Sequence, residues 1–413
     1  MRVAFVCGRF PTQAETPTLN IATGLLQRGQ DVQVFAGGPQ PGVPAHPDFE
    51  RFSLAERTHY RPQIDRRIGA RLALAAKGLR AHPGAERRVL LRALNPLRFW
   101  WRATSLEVFH DARMVLPHGP FDVAYCAFGV DGKRAARMWR SGALRVPLLT
   151  SFRGSDLLVY PRHGGPNYYS VLFGCGSLFL PVCRAFVPHL VAQGCPPEKI
   201  RVHPTGIDLS RHPFAPRPAP AAGETLQVCS VARLIESKGI QVALRAVRRL
   251  LDGGLDVQYT VAGNGLYRPA LEQEIDRLQL RAHVTLAGSL PQQGVITLLQ
   301  RSHMMLAPSF RGPKGAAEGI PNVLKEAMAL GVPVIASQLE GIPELVVHDV
   351  TGLLVPPGDD EALAAAIQGL LRAPARWPDL IDGGRRIVES DYDINVLNDR
   401  LMGMFEEVVK RKE

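Results

Sequence analysis

The segment PSFRGPKGAAEGIPNVLKEAMALGVPVIAS (308–337) sets two carboxylates, Glu318 and Glu326, eight residues apart around a Gly- and Pro-rich entry to a helix. A helix opening at Pro321 leaves the first-turn N–H groups of Asn322, Val323 and Leu324 without helical acceptors, and proline suits that first position. Such a terminus can hold an anion, for example a diphosphate. Glu318 precedes the helix, separated from it by Gly319 and Ile320, whereas Glu326 lies about one turn inside. The two acids therefore serve different places, and each can accept charge-assisted hydrogen bonds from the hydroxyls of a polyol ligand. Two Glu at this spacing are by themselves more often a solvated helix surface, so the neighbouring glycines and prolines favour the site reading.

A second cluster lies in CSVARLIESKG (229–239), where a strand-like run leads into a loop with Arg233 and Lys238 five residues apart. Two fixed cations at a strand's carboxyl end fit a diphosphate leaving group: Arg offers a planar fork, Lys a mobile point charge, and both oppose charge that grows as a bond to phosphate breaks. Exposed basic residues at a helix entry are the plainer alternative. VAGNGLYR (261–268) adds Gly263 and Gly265 after another strand, half of a dinucleotide fingerprint. The third Gly position holds Arg268, and no acid ends a following strand at the expected distance, which disfavours a dinucleotide dehydrogenase. Close approach of this backbone to a nucleotide fits the glycines.

Residues so placed need strands that end in loops. Short β-rich runs at 3–7, 31–35, 122–127 and 147–151 alternate with helix-compatible stretches, the pattern of a parallel α/β sheet. Residues 212–224, rich in Pro and Ala, read as a linker. The alternation then restarts, with strands at 226–231, 257–262, 284–287, 304–307 and 334–337 and helices at 239–251, 266–278, 292–301 and 322–330. The expectation is α/β, two doubly wound Rossmann-like domains (1–211 and 225–389) facing each other across a cleft at their strands' carboxyl ends. A helical tail, 390–413, can pack back across the junction. At 413 residues the chain exceeds what one core usually spans, which also favours two domains.

Composition narrows the class further. The amino-terminal MRVAFVCGRFP has too short an apolar run for a signal peptide, and stretches such as 177–183 and 352–355 fall far short of the roughly 20 residues a membrane-crossing helix needs. Six scattered cysteines show no metal-ligand or disulfide spacing, so buried free thiols, no metal and a cytoplasmic compartment are expected. The net charge of +11 comes almost wholly from residues 57–102, where twelve Lys/Arg face only Asp65 and Glu86. Mixed with apolar residues and ending in Phe99, Trp100 and Trp101, this segment reads either as ordinary helices with a solvated face or as a surface for anionic lipid at the inner face of the membrane. Nucleic acid is the least favoured partner.

Together ARLIESKG (232–239), AGNG (262–265), PSF (308–310), EGIPNVLKEAMALGVPVIAS (318–337), EGIPELV (340–346) and TGLLVPPGD (351–359) resemble the retaining family-4 glycosyltransferases of GT-B fold. FPTQAET (10–16), TSFRGSDL (150–157) and GCPPEKIRVHPTGIDL (194–209) are similar to the amino-terminal domain of exopolysaccharide transferases of the colanic-acid type, so the resemblance covers essentially the whole chain. It implies that Arg233 and Lys238 bind the diphosphate of a UDP- or GDP-sugar, that Glu318 contacts the donor sugar, and that Glu326 holds the ribose hydroxyls. It also implies that backbone at 319–324 cradles phosphate and sugar, while Gly8 and the Glu15 loop border the cleft from the other domain. Sugar transfer with retained anomeric configuration, to a saccharide or lipid-linked saccharide and without a metal or other cofactor, is the implied reaction.

One departure is Arg153 in SFRGSD (151–156), where many relatives carry His. An arginine neither accepts a hydrogen bond nor deprotonates, so Arg153 meets a phosphate or an acidic sugar, or pairs with Asp156. Two other classes remain at this point: a nucleotide-sugar epimerase on the same fold and a non-catalytic membrane-associated scaffold.

Overall fold

The computed structural model describes residues 1–11, 16–40, 47–62, 67–165, 167–312 and 319–411. The chain divides into two compact units. The first comprises Met1–Val182, Val187–His203 and Asn398–Glu413; the second comprises Cys183–Phe186 and Pro204–Leu397.

In the first unit six strands, β1 (Arg2–Arg9), β2 (Asp31–Gly38), β3 (Thr58–Tyr60), β4 (Val123–Cys126), β5 (Leu148–Phe152) and β6 (Leu178–Pro181), form a parallel sheet in the order β3-β2-β1-β4-β5-β6. Both faces are covered, so the strands are apolar throughout rather than alternating. Along β1, Val3, Phe5 and Cys7 pack into one core with Leu19, Leu25 and Tyr125, while Ala4 and Val6 pack into the opposite one with Val115, Met138 and Leu148. The helix Ile394–Lys410 contributes Leu401, Phe405 and Val408 to the first of these cores. Between β3 and β4, helices Ile68–Ala81, Gly84–Ala93 and Glu107–Val115 build a smaller cluster around Leu90, Phe99, Val108 and Phe109. Beyond β3, the described part of the basic segment is therefore a helical insertion with its own apolar heart.

The second unit repeats the plan. Strands β7 (Leu226–Val231), β8 (Val257–Ala262), β9 (Val284–Gly288), β10 (Met304–Ala307), β11 (Val334–Ser337) and β12 (Leu353–Val355) are parallel in the order β12-β11-β10-β7-β8-β9. The helix Ile240–Asp252 buries Val242, Ala243, Ala246, Val247 and Leu250 against the sheet, one apolar stripe at helical spacing. In both sheets the strand order reverses between the first and fourth strands, β1 beside β4 and β7 beside β10. Open doubly wound sheets bind ligands just beyond the strand ends at that switch point.

The Pro- and Ala-rich stretch read as a linker packs in part on the second unit: the N–H groups of Ala215 and Arg217 donate to the carbonyls of Leu330 and Gly331 at 3.1 and 2.9 Å. Among the described residues no helix is long and apolar enough to cross a membrane, no group of His, Cys, Asp or Glu is placed to hold a metal ion, and the six cysteines are unbridged.

Candidate functional site

The site in the second unit is built from loops that leave β7, β8 and β10. After β7 the backbone runs against the loop after β8: Ala232 N–H donates to Ala262 O at 3.0 Å, Leu234 N–H to Asn264 O at 2.9 Å, and Tyr267 N–H to Leu234 O at 3.0 Å. Two glycines permit this approach. At Gly263, whose φ is +140°, an added Cβ would lie 1.8 Å from Ala232 O, and at Gly265 it would lie 2.2 Å from Leu234 O. Expected to let backbone approach a nucleotide, these glycines prove to be needed first for one loop to lie on another. Gly263→Ala combines left-handed strain with overpacking and is expected to destabilise the protein by about 2–5 kcal/mol, measurable as a lowered denaturation midpoint.

The interlocked loops fix the backbone on either side of Arg233, between half-buried Ala232 and buried Leu234. Its side chain is exposed and has no ion pair or hydrogen bond among the described residues. Lys238 ends a single 3-10 turn, Glu236–Lys238, and is half-buried. The loop after β10 joins this group through Phe310 N–H, which donates to Ser237 O at 2.9 Å. Of the two acids, Glu318 lies outside the described residues; Gly319 and Ile320, which follow it, are buried.

The helix spans Asn322–Leu330 as read, but Pro321 is its cap rather than its first helical residue, with φ −60° and ψ 129°. Proline fixes φ alone, and this φ suits a cap as well as a first turn. The three first-turn residues are not equivalent. Leu324 N–H donates to Pro321 O at 3.2 Å, which takes it out of the set of free donors. Asn322 uses its side chain inside the protein: Oδ1 accepts from Thr205 Oγ1 at 3.0 Å and from Lys325 Nζ at 2.9 Å. Lys325 is fully buried, its Nζ also donating to Thr205 O at 2.6 Å and Oγ1 at 3.0 Å and lying 5.1 Å from the Tyr392 ring centre. Thr205 and Lys325 thus pin the start of the helix, leaving the backbone of Asn322 and half-buried Val323 as the terminus that can meet a ligand.

Glu326, one turn on, is half-buried, and among the described residues no hydrogen bond reaches its carboxylate. Burial pushes its pKa above the ordinary range of a glutamate, against the opposing pull of His212 and Lys325. His212 is itself buried; its Nδ1 lies 2.7 Å from Asp208 O, while Nε2 has no hydrogen-bond partner among the described residues. Composition hid His212 in the Pro-rich stretch, and it hid Lys325 because a lysine in an amphipathic helix normally reads as solvated. The only sequence signal for Thr205 was its place in the HPTGID run (203–208).

In the first unit, Gly8 is exposed just past Cys7 near the end of β1, and Glu15 lies outside the described residues. Asp156 is buried and holds its own loop together: Oδ1 accepts from the N–H groups of Arg153 at 3.0 Å and Gly154 at 2.9 Å, and Oδ2 accepts from Gly129 N–H at 2.9 Å. Burial raises its pKa in spite of these donors. The Arg153 side chain turns elsewhere, with Nη1 donating to Thr18 Oγ1 at 3.0 Å and the guanidinium 4.9 Å from the Phe128 ring centre, while Nε and Nη2 have no hydrogen-bond partner among the described residues. A direct Arg153–Asp156 side-chain pair, one of the alternatives above, is therefore not formed, because Asp156 is occupied by backbone N–H groups.

Comparison with known proteins agrees with this geometry. Residues 14–211 match the Glycosyltransferase Family 4 model and residues 213–386 the Glycosyl transferases group 1 model. A Salmonella typhimurium protein assigned to colanic acid biosynthesis as glycosyltransferase WcaL is 33% identical over 99% of this chain and all of its own length. The amylovoran biosynthesis glycosyltransferase AmsK of Erwinia amylovora is 33% identical over 98% of this chain and 99% of its own. In fold, the crystal structure of Anabaena Alr3699/HepE in complex with UDP superposes with a TM-score of 0.71 at 19% identity, covering 98% of this chain and 100% of that one. With paired Rossmann-like sheets of GT-B type, both family models in register and full-length relatives at one-third identity, the chain belongs to the family-4, group-1 glycosyltransferases.

Proposed function

We propose that this glycosyltransferase moves a hexose from a nucleoside-diphosphate sugar to a saccharide acceptor on a carrier lipid, with retention of anomeric configuration, in exopolysaccharide synthesis at the cytoplasmic face of the membrane. The carrying observation is Arg233: an exposed guanidinium without a partner among the described residues, on a rigid loop at the β7/β10 switch point, with Lys238 on the same loop. A diphosphate supplies the counter-charge. In retaining transfer the acceptor hydroxyl attacks on the face the diphosphate leaves, the bond from the anomeric carbon to phosphate oxygen breaks, and that phosphate oxygen takes the hydroxyl proton. The two cations stabilise the developing phosphate charge, the term that preorganised donors supply most effectively. Glu318 faces the donor sugar in this reading and Glu326 the ribose. UDP in the Anabaena structure, and the polysaccharide pathways named for WcaL and AmsK, support the donor class and the product class.

A thermal-shift and hydrolysis screen over UDP- and GDP-sugars tests this, since a ligand that binds only the folded chain raises its melting temperature. One selected donor, followed by a transferred sugar whose anomeric configuration matches the donor's, is the expected result. Conversion of the nucleotide sugar alone would instead mean an epimerase. For membrane contact, the basic insertion presents Leu97, 95% exposed, and Trp100, 79% exposed, beside Arg98. Flotation with anionic liposomes is expected at low salt and is expected to weaken at high salt; no flotation at low salt would remove the membrane assignment.

A further inference from the structure

Lys133 and Arg137 stand four residues apart, one turn, on the helix Gly129–Ser141, which begins just after β4 at the switch point of the first sheet. Both are half-buried, and neither has an ion pair or hydrogen bond among the described residues. The Lys133 ammonium lies 3.1 Å from the centre of the Tyr168 ring, which holds it in place.

The nearby carboxylates offset them only in part, because other arginines hold those acids. Asp111 is bound bidentately by Arg61, at 2.8 and 2.7 Å, and by Arg134 Nε at 2.9 Å; Glu107 pairs with Arg61 at 3.3 Å and with Arg102. Asp131, on the same helix, is oriented toward Gly8, where an added Cβ would lie 3.8 Å from its Oδ1. Among the described residues, Asp111 and Glu107 are thus held by Arg61, Arg102 and Arg134, and no carboxylate makes an ion pair with Lys133 or Arg137. Burial together with Arg137 and Arg102 pushes the Lys133 ammonium down to about 8, and burial with Arg102 lowers Arg137 against the opposing pull of Glu107 and Asp111. Half-buried positive charge in excess of its counter-charge is unfavourable unless an anion completes it.

We infer that Lys133 and Arg137, with Arg102 at the edge, form a second diphosphate site, which takes the diphosphate of the acceptor's carrier lipid. Two cations one turn apart with a third beyond them span two phosphates, whereas a single carboxylate would be met by one guanidinium fork. The lipid follows from chain order. Arg102 lies two residues after exposed Trp100 and five after exposed Leu97, so apolar exposed surface begins close in sequence to the cationic group, the order of polar and apolar parts in a prenyl diphosphate. This inference rests on the reading of a lipid-linked acceptor.

The test uses the full chain carrying Arg233→Ala and Lys238→Ala, so that the second unit's cations are removed. Titration of inorganic pyrophosphate into this variant, followed by calorimetry, is expected to show one equivalent bound. Adding Lys133→Met and Arg137→Met is expected to weaken binding by roughly tenfold or more, while Lys133→Arg in place of that pair retains it. The Met pair is expected not to lower the melting temperature, because it removes uncompensated charge. Neutral phosphatidylcholine vesicles doped with farnesyl diphosphate are then expected to capture the Arg233/Lys238 variant in flotation, undoped vesicles are not, and the Met pair abolishes capture. No pyrophosphate binding in the Arg233/Lys238 background overturns the site. Pyrophosphate binding without capture by doped vesicles overturns the lipid source, and with it the lipid-linked reading, while leaving the anion site standing.

Discussion

Replacing Arg233 with alanine is expected to lower kcat/KM on the order of 10²-fold, the loss that follows removal of one preorganised donor to a developing anion, without moving the melting temperature. The two halves of this expectation come from one observation. The loops after β7 and β8 are held by their own backbone hydrogen bonds and glycine contacts, so the Arg233 side chain contributes nothing to their order. Without an ion pair or hydrogen bond among the described residues, Arg233 keeps its fork available where the strand order reverses, the place at which doubly wound sheets bind ligands. Lys238→Ala is expected to reduce kcat/KM in the same direction, and Arg233→Lys to recover only part, since a point charge does not reproduce a bidentate fork. Steady-state kinetics with the donor selected in the screen, run beside thermal melting, check both. An Arg233→Ala protein with unaltered kcat/KM would take the diphosphate assignment away.

How much of this was legible beforehand depended on how local each signal is. The strands 226–231, 257–262, 304–307 and 334–337 and the helices 292–301 and 322–330 were read with their observed bounds, because apolar runs there are punctuated by Gly and Pro. Three strands were not read. Thr58–Tyr60 sits inside the Arg-rich segment and is only three residues long; Leu178–Pro181 and Leu353–Val355 were considered only as apolar runs too short to span a membrane. In the sites, motif positions were readable and their partners were not. Asp156 stands in a recognisable string, yet its contact with Gly129 N–H joins residues 27 apart. Lys325 reaches Thr205 across 120 residues, so nothing near it in the sequence marks it as a buried anchor. Gly263 and Gly265 carried a real signal, a backbone that must come close to something, but the something includes a neighbouring loop. Lys133 and Arg137 were silent for the same reason, since the excess of positive charge around them appears only when Asp111 and Glu107 are seen bound to other arginines.

Glu326→Gln is expected to weaken binding of the nucleoside diphosphate about tenfold, the scale of one hydrogen bond to a charged acceptor, and at the same time to hold or raise the melting temperature at neutral pH. The carboxylate is half-buried with no hydrogen bond among the described residues, and burial outweighs His212 and Lys325 to raise its pKa. An acid whose folded-state pKa lies above its unfolded value stabilises the fold fully below the unfolded pKa, and this contribution is lost as pH rises through the folded one. Above the unfolded-state pKa Glu326 therefore costs stability in the free enzyme, and an uncharged amide removes that cost. The difference in melting temperature between the two proteins should shrink as pH falls from the raised folded-state pKa to the ordinary glutamate range, below which the side chain is neutral in both states. Vicinal ribose hydroxyls donate the hydrogen bonds that the protein does not, which is why the ligand rather than the fold is expected to lose when the charge goes. Calorimetry with the nucleoside diphosphate and melting across pH 4–8 separate the roles: a Gln variant that melts lower yet binds unchanged would make Glu326 a buried structural acid and leave the ribose without its acceptor.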